Sequence, residues 1–344
     1  MFLKILILKL LKNQFKSYLK MEKINKVGVL TSGGDAPGMN AAIRAITRSA
    51  LFHNIEVVGI RRGYQGLIEN DIIPLTKYDV SGILGQGGTI LKTARCKEFY
   101  THEGRKKAYE VVKKHNIEAL IVIGGDGSFK GASEFSKEFD IIVVGIPGTI
   151  DNDIYGTEYT IGYDTALNTV IEAVDKIRDT ANAMNRIFFI EVMGKESGFL
   201  ALQSAIACGA EGLLIPEVPG QFERLCKIMR QRDEMHKSSI IIVAEGETEG
   251  TTFEIAEKFK KEFPDLDVRT TILGHIQRGG SPTAYDRIMS SRLGNAAVEV
   301  LLDDQKSVMI GIVNGNIVHI PLDKVTKIKK ELDKELIHLS NILI

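Results

Sequence analysis

Short apolar runs that each pass directly into a glycine-rich loop constrain the fold of this chain most. Residues 26–30 (KVGVL), 119–123 (ALIVI) and 141–144 (IIVV) have the composition of buried strands, and each is followed by a loop and then by helical spacing of apolar residues. Repeated alternation of buried strands and helices is typical of parallel sheets with helices on both faces. The sequence therefore predicts an α/β fold of doubly wound, Rossmann-like parallel sheets.

Composition limits the classes of function. The chain has 344 residues, enough for one large domain or two ordinary ones, and its formal net charge is zero. A neutral chain has no general attraction to nucleic acid or to anionic membranes, so we expect neither partner. Its three cysteines, Cys96, Cys208 and Cys226, are scattered without a CxxC spacing. That pattern argues against disulfides and indicates a reducing, cytoplasmic location.

The first 20 residues (MFLKILILKLLKNQFKSYLK) differ from the rest, since they carry five lysines and no acidic residue. Their apolar part is too short to span a bilayer, and no small-residue cleavage site completes a signal peptide. A basic amphipathic helix on a surface is one interpretation. The simpler one, which we favour, is an upstream translation start, with the in-frame Met21 as the true beginning.

Two carboxylates follow the strand at 141–144. The loop 145–156 (GIPGTIDNDIYG) carries Asp151 and Asp153 beyond the carboxyl end of that strand, which is where ligands bind in open α/β sheets. If strand alternation persists into the loop, residues two apart face one ligand together. One carboxylate could then hold Mg²⁺ while the other takes a proton from a hydroxyl group. The alternative is an acidic turn that caps the next helix.

Two glycine-rich loops have the arrangement of phosphate sites. Residues 31–40 (TSGGDAPGMN) join the first strand to an amphipathic helix, so backbone N–H groups and a helix N-terminus could face one phosphate. A tight structural turn is the alternative. Residues 124–128 (GGDGS) follow the strand at 119–123 and contain Asp126, which suits support of Mg²⁺ beside a nucleotide phosphate. The second loop indicates a phosphoryl donor without identifying the acceptor.

Further polar residues stand at the ends of predicted strands or between glycines. Glu245 directly follows a predicted strand, and residues 269–280 (RTTILGHIQRGG) place His275 and Arg278 among glycines. Arg95 follows a loop that contains two glycines. It could bridge phosphates with its planar fork or simply lie at the surface.

Five motifs occur in order along the chain: LTSGGDAPGMN, IGGDGS, GIPGTIDND, EVMG and LGHIQRGGSP. With them the chain resembles the bacterial ATP-dependent 6-phosphofructokinases over about residues 24–325. Diacylglycerol and NAD kinases share GGDG-type loops but leave LGHIQRGGSP and the PGTIDND loop unexplained. A nucleotide-sensing relative without catalysis would be expected to lack Asp151, Asp126 or Arg186, and all three are present.

The resemblance implies two doubly wound, Rossmann-like domains with the active site in the cleft between them. Residues 21–162 together with about 282–328 would form the ATP-binding domain. Residues 163–281 and the C-terminal helix would form the domain that binds fructose 6-phosphate. The family transfers the γ-phosphoryl group of MgATP to the 1-hydroxyl of that sugar phosphate, which is the committed step of glycolysis.

The resemblance also implies roles around the reacting atoms and the nucleotide. Asp151 becomes the general base, with Thr149 beside the transferring group, while Asp126 and Asp153 hold or orient Mg²⁺. Gly34 and Arg95 would stabilise the phosphoryl group during its transfer. The residues around ATP would be Gly34, Arg95, Tyr64, Cys96, Gly125, Asp126, Gly127, Ser128 and Gly131.

The sugar side is implied in the same way. Arg186 and Arg269 match two arginines that reach the sugar phosphate from a neighbouring subunit, which implies a homo-oligomer and, from the family, a homotetramer. The family usually has arginine at Lys195, a residue at the catalytic centre; lysine keeps the charge but lacks the planar fork. We therefore expect retained activity with altered sugar-phosphate affinity. The sugar contacts within the chain are Thr149, Asp151, Asp153, Met193, Gly194, Lys195, Glu245, His275 and Arg278.

Two glycines favour ATP over pyrophosphate as the donor. Pyrophosphate-using relatives tend to carry aspartate at the position of Gly127 and lysine at that of Gly148. Those side chains crowd the room that the nucleotide's α-phosphate occupies. Because this chain has glycine at both positions, the resemblance implies ATP.

An effector site between subunits is also implied, where ADP or phosphoenolpyruvate binds in the family. Arg44, Arg48 and Glu211 match family residues, and the candidate effector residues are Arg44, Arg48, Arg178, Glu211, His236 and Lys237. A solvated helix face is the default interpretation of Arg44 and Arg48, which lie one turn apart. Glu234 and His236 stand where basic residues usually complete the pocket, and Gly82 replaces an acid. Because Glu234 would repel a phosphate, we expect weakened or absent control.

Overall fold

The structure is a computed structural model that describes residues 24–231, 238–303 and 307–344. The predicted basic extension, residues 1–20, lies outside the described residues, so its two interpretations stay predictions. Across the described ranges, we find no helix that is both long and apolar enough to cross a membrane.

The described chain alternates strands and helices. The strands are β1 (Lys26–Ser32), β2 (Glu56–Ile60), β3 (Ile72–Pro74), β4 (Ala119–Gly124), β5 (Ile142–Pro147), β6 (Arg186–Val192), β7 (Gly212–Leu214), β8 (Ser239–Ala244), β9 (Asp267–Ile272), β10 (Val308–Val313) and β11 (Asn316–Pro321). The helices are α1 (Met39–Phe52), α2 (Gly63–Ile68), α3 (His102–Lys114), α4 (Asp126–Glu138), α5 (Tyr163–Met184), α6 (Phe199–Cys208), α7 (Gln221–Arg230), α8 (Thr252–Glu262), α9 (Ala284–Leu302), α10 (Leu322–Val325) and α11 (Lys334–Leu343).

The larger sheet has seven strands in the order β11-β10-β5-β4-β1-β2-β3. Its inner strands β10, β5, β4, β1 and β2 run parallel to one another, which confirms the predicted doubly wound arrangement. The two edge strands, β3 and β11, are antiparallel to their neighbours. All six residues of β4 are buried, and a strand covered on both faces needs the uniformly apolar sequence from which it was predicted.

The smaller sheet has four parallel strands in the order β7-β8-β6-β9. The apolar strand β8 is buried throughout and was predicted. The edge strand β9 (DVRTTI) and helix α8 were not. Each residue of β9 is exposed or only half-buried, so this strand lacks the apolar run that marks the others.

One apolar cluster continues from one sheet into the other. It includes Val29 and Val144 of the larger sheet together with Val192 and Ile242 of the smaller one, all fully buried. This shared core packs the two sheets against each other. The division of the chain into an ATP-binding and a sugar-phosphate domain stays a prediction.

The two long helices α5 and α9 begin beside each other and cap each other. Asp286 is fully buried; its carboxylate accepts hydrogen bonds from the Gly162 N–H and the Thr165 N–H, both at 2.9 Å. In return, the Thr283 N–H donates to the Thr165 hydroxyl at 3.1 Å, and the Thr283 hydroxyl donates to the Asp164 carboxylate at 2.6 Å. Burial raises the pKa of Asp286 to about 6, although the hydrogen bonds from Thr165 and Gly162 oppose that shift. These hydrogen bonds hold together the start of α5, where the chain leaves the larger sheet, and the start of α9, through which it returns.

Candidate active site

The candidate site lies where β1, β4 and β5 end. These neighbouring parallel strands finish at Ser32, Gly124 and Pro147, so their exit loops emerge at the same edge of the sheet. The three loops are the ones that the sequence marked as glycine-rich or acidic. The structure thus brings together the predicted phosphate loops and the predicted acid pair.

The acid pair is arranged by a turn instead of by strand alternation. Strand β5 ends at Pro147, and Asn152, between the two acids, has a left-handed backbone with φ 52°. The Asn152 side chain donates to the Glu158 carbonyl at 3.1 Å and accepts from the Thr160 N–H at 3.0 Å. The alternation argument is therefore wrong as a cause, since the loop folds back on itself and asparagine tolerates the left-handed conformation that it requires.

Asp151 is the more buried member of the pair. Its Oδ1 atom is buried and finds no hydrogen-bond partner among the described residues, which is uncommon for a buried carboxylate. Burial raises the pKa of Asp151, while the positive charge of Arg278 and a hydrogen bond with Thr149 oppose the rise. The result is a carboxylate with a free oxygen that has gained basicity.

Asp153 lies within electrostatic reach of two other acids. Burial, and then the negative charges of Asp151 and Asp126, raise the pKa of Asp153 to about 6. Among the described residues no three His, Cys, Asp or Glu side chains form a complete metal site. Mg²⁺ typically takes one or two carboxylates and completes its shell with substrate phosphates and water. Asp126 and Asp153 therefore fit a Mg²⁺ ion that arrives with a phosphate ligand.

Asp126 stands in the first turn of α4 beside an open space. Its carboxylate pairs with Lys130 at 2.7 Å on the exposed side of the helix. A methyl group added at Gly127 would meet none of the described atoms within 4 Å. Gly125 precedes the helix, and no side chain caps its first N–H groups. Backbone donors and free space are thus available at this strand end.

The loop after β1 touches a residue from the other sheet. A methyl group at Gly34 would collide with the guanidinium group of Arg278, whose Nη1 lies 3.4 Å from the Asp35 carbonyl oxygen. Arg278 ends a 3₁₀ turn, Gly274–Arg278, which follows β9. The positive charge of Arg278 therefore lies between the phosphate loop and Asp151.

The segment that carries Arg95 is tied to the same loop. The Thr31 hydroxyl donates to the Lys92 carbonyl at 2.8 Å, and the Thr93 hydroxyl donates to the Gly33 carbonyl at 2.7 Å. Arg95 itself is exposed. It follows a segment anchored to the phosphate loop, and its contact with the transferring phosphoryl group stays a prediction.

Tyr64, Ser128 and Gly131 form one wall near α4. The Tyr64 ring stacks on Phe99 with centroids 3.9 Å apart, and its hydroxyl donates to the Ser128 carbonyl at 2.7 Å. A methyl group at Gly131 would press on both rings. Cys96 is buried nearby in the same apolar cluster as Tyr64. Tyr64 is itself buried, so these residues support the candidate site from the core side and do not line its open surface.

The loop after β6 joins the smaller sheet to the loop that follows β5 and carries Asp151 and Asp153, here called the acid loop. The Met193 N–H donates to Gln277 Oε1 at 3.1 Å, and the Lys195 N–H donates to Glu245 Oε2 at 3.2 Å. The buried Ser197 hydroxyl lies 3.3 Å from the Asp151 carbonyl. Met193, Gly194, Lys195 and Glu245 are thus brought together at the acid loop.

Arg186 and Arg269 are not brought to the acid pair. Arg186 is the first residue of β6, and Met193 follows the last, so at about 3.3 Å per residue they lie about 23 Å apart. Both arginines instead pair with Asp267. His275 is exposed within the same 3₁₀ turn as Arg278.

The predicted effector residues are only partly described. Arg178 pairs with Glu211 at 2.8 Å and donates to the Cys208 and Gly209 carbonyls at the end of α6. Glu211 also accepts from the Ile240 N–H. His236 and Lys237, together with Glu234, lie outside the described residues. The remaining predicted members are Arg44 and Arg48 on α1.

Three residues at the site escaped the sequence analysis: Gln277, Ser197 and Lys330. The Lys330 ammonium donates to the Glu158 carbonyl at 2.8 Å and lies 4.9 Å from the centre of the Phe199 ring. Burial lowers the pKa of Lys330 to about 8, against the attraction of Asp153 and Glu158. No motif marks this lysine, since it stands in a lysine-rich stretch (KIKKELDK) near the C-terminus.

Comparison with known proteins places this geometry in context. A model of the phosphofructokinase family matches residues 26–301. The chain is 54% identical to ATP-dependent 6-phosphofructokinase 2 of Bacteroides thetaiotaomicron, over 93% of this chain and 98% of that relative. It is 50% identical to ATP-dependent 6-phosphofructokinase 1 of Thermus thermophilus, over 93% of this chain and 99% of that relative.

A solved structure has the same fold. The structure of phosphofructokinase from Saccharomyces cerevisiae matches with a TM-score of 0.84 and 36% identity. The match covers 88% of this chain and 45% of the yeast chain, so this chain spans less than half the length of that protein.

Proposed function

The chain belongs to the phosphofructokinase family, and we propose that its site transfers the γ-phosphoryl group of ATP to the 1-hydroxyl of fructose 6-phosphate. The products are fructose 1,6-bisphosphate and ADP, as in glycolysis. The observation that carries this proposal is the buried, unpartnered Oδ1 of Asp151, which lies beside Asp153 and within the field of Arg278. The family resemblance that the five motifs indicated is confirmed.

Asp151 is the general base in this proposal. Its free Oδ1 accepts the proton of the 1-hydroxyl while the sugar oxygen attacks the γ-phosphorus. A base works best when its pKa lies near the operating pH, and burial moves Asp151 in that direction. The positive charge of Arg278 opposes that rise. Thr149, whose hydroxyl accepts from the Asp151 N–H at 3.2 Å, holds the loop beside the transferring group.

The transferring phosphoryl group needs alignment and charge neutralisation more than covalent chemistry. We assign these tasks to Arg95 and to the backbone of Gly34, with Arg278 on the acceptor side. Asp126 and Asp153 would hold Mg²⁺, which supplies neutralisation of phosphate charge when bound. Asp153 must be ionised to do so, and its pKa of about 6 leaves it ionised at neutral pH.

ATP is the donor that the glycines support. Gly127 leaves open space, whereas a side chain at Gly148 would press on Ile123 at 3.0 Å and on Met39 at 3.1 Å. The open space at Gly127 leaves room for a nucleotide, while the part assigned to Gly148 rests on the family resemblance. We assign the surroundings of ATP to Gly34, Tyr64, Arg95, Cys96, Gly125, Asp126, Gly127, Ser128 and Gly131.

Fructose 6-phosphate is assigned to the second sheet. The contacts within the chain would be Met193, Gly194, Lys195, Glu245, His275 and Arg278. Arg186 and Arg269 lie too far from the acid pair of their own chain to serve it, so we propose that they serve a neighbouring subunit of a homo-oligomer, with a homotetramer as the expected state. A cytoplasmic location accords with its three unpaired cysteines.

A coupled assay that follows ADP formation with fructose 6-phosphate, ATP and Mg²⁺ tests the proposal. We expect turnover with ATP and at least about a hundredfold less with pyrophosphate, as expected if Gly127 and Gly148 set the donor. Sizing by light scattering on the same sample gives the oligomer. Equal rates with pyrophosphate would overturn the donor assignment, and no turnover with either donor would overturn the function.

A further inference from the structure

The register of β6 and β9 places three charged side chains on one face of a sheet edge. In this parallel pair Arg186 stands opposite Asp267, and Phe188 stands opposite Arg269. Because side chains alternate along a strand, Asp267 and Arg269, two residues apart, point to the same side. Strand β9 is the edge of its sheet. One carboxylate is therefore set between two guanidinium groups at a surface.

The contacts confirm this arrangement. Arg186 Nε lies 2.7 Å from Asp267 Oδ2, and an Arg269 Nη lies 3.0 Å from Asp267 Oδ1. The Asp267 side chain remains 42% exposed and that of Arg269 53% exposed. Arg269 also donates to Oδ2 at 3.3 Å, so both guanidinium groups contact this oxygen. The cluster carries two positive charges and one negative charge.

We propose that Asp267 is a specificity-determining residue that competes with the incoming phosphate for Arg186 and Arg269. This inference rests on the proposed function, in which those two arginines receive the 6-phosphate of the sugar. An isolated pair of arginines would accept many anions. With Asp267 in place, an anion must displace a carboxylate that is already bound and must overcome its negative charge.

A phosphate monoester meets that requirement better than a monoanion does. It carries close to two negative charges at neutral pH and offers three acceptor oxygens, while a carboxylate offers one charge and two oxygens. Exposed ion pairs are weak, so the carboxylate can be displaced. The two arginines lower the pKa of Asp267, so the competitor stays ionised at neutral pH.

The test compares Asp267→Asn with Asp265→Asn, which removes an exposed acid two residues away. For D267N we expect KM for fructose 6-phosphate and the dissociation constant for inorganic phosphate, from calorimetry, to fall about threefold at low ionic strength. We expect kcat and KM for ATP to stay unchanged. D265N should match the wild type, and Asp267→Glu, which restores the charge, should return both constants toward wild-type values.

The two readouts separate this inference from the proposed function. If D267N binds fructose 6-phosphate and phosphate as the wild type does, or more weakly, Asp267 is a scaffold for the arginines and the inference is overturned. If the wild type shows no turnover, the proposed function fails. The phosphate dissociation constants of wild type and D267N then still decide the role of Asp267. Unfolding temperatures of the variants verify that each is folded.

Discussion

The two halves of the site differ in what they present to a ligand. The donor half, which consists of the loops after β1, β4 and β5, presents glycine backbone and the acids Asp126, Asp151 and Asp153. The acceptor half presents the long side chains of two cations, Lys195 and Arg278, together with Glu245 and His275. Backbone N–H groups suit a polyphosphate that lies directly against the loops, whereas long cationic side chains can reach a phosphate group that lies further from the backbone. The halves meet where Arg278 lies against Gly34.

The contact between the halves is broken most directly by Gly34→Ala. The added methyl group would collide with the Arg278 guanidinium and move it by about an ångström. A displacement of that size typically costs about a hundredfold in rate, so we expect kcat/KM to fall by roughly that factor. The control is Gly85→Ala, whose methyl group would make an ordinary 3.5 Å contact with Arg287. Equal kcat/KM values for the two variants would mean that the contact has no role.

The donor half should determine how the activity falls at acid pH. Asp153, with a pKa raised to about 6, must be ionised to hold a cation, so activity is lost as the pH falls through that value. At low Mg²⁺ we expect the rate at pH 5 to be about one tenth of that at pH 7. Higher Mg²⁺ favours the ionised form and should move the limit to lower pH. A rate that stays level between pH 7 and pH 5 at low Mg²⁺ would contradict this.

Lys330 joins the halves from the C-terminal segment. It donates to the Glu158 carbonyl on the acid loop and lies over Phe199 at the start of α6. Lys330→Met keeps the apolar stem but loses the charged hydrogen bond, at ~1 kcal/mol for a partly buried group, so we expect about a fivefold lower kcat/KM. Lys329→Met, at an exposed neighbour, is the control. Lys330→Arg should recover part of the loss, and identical values for K330M and K329M would exclude the role.

Effector control should show the smallest effect. Arg178 and Glu211 already satisfy each other and nearby backbone groups, so they are less available to a phosphate. We expect ADP or phosphoenolpyruvate to move the half-saturating fructose 6-phosphate concentration by less than about twofold, whereas allosteric coupling is typically 5- to 150-fold. A strong shift with either effector would show that the site is retained.

The sequence predicts the donor half better than the acceptor half, for a physical reason. Strands such as β4 are buried on both faces, so their apolar runs stand out, and the loops that follow are marked by glycine. Edge strand β9 pairs on one side only, and because its exposed positions carry polar and charged residues it lacks the apolar run by which a strand is recognised. Asn152 shows a further limit, since a single left-handed residue re-aims the acids that strand alternation was expected to align. Lys330 comes from about 180 residues further along the chain, a distance at which no local pattern operates.

The division of labour between Asp151 and Asp153 is tested most directly by initial rates of Asp151→Asn and Asp153→Asn over a range of Mg²⁺ concentrations. A positioned base contributes about 10²–10⁴-fold, so D151N should lose that factor in kcat with the half-saturating Mg²⁺ unchanged. D153N should raise the half-saturating Mg²⁺ by about tenfold or more. A D151N enzyme that keeps more than about a tenth of the rate, or that shifts its Mg²⁺ requirement as D153N does, would contradict the account.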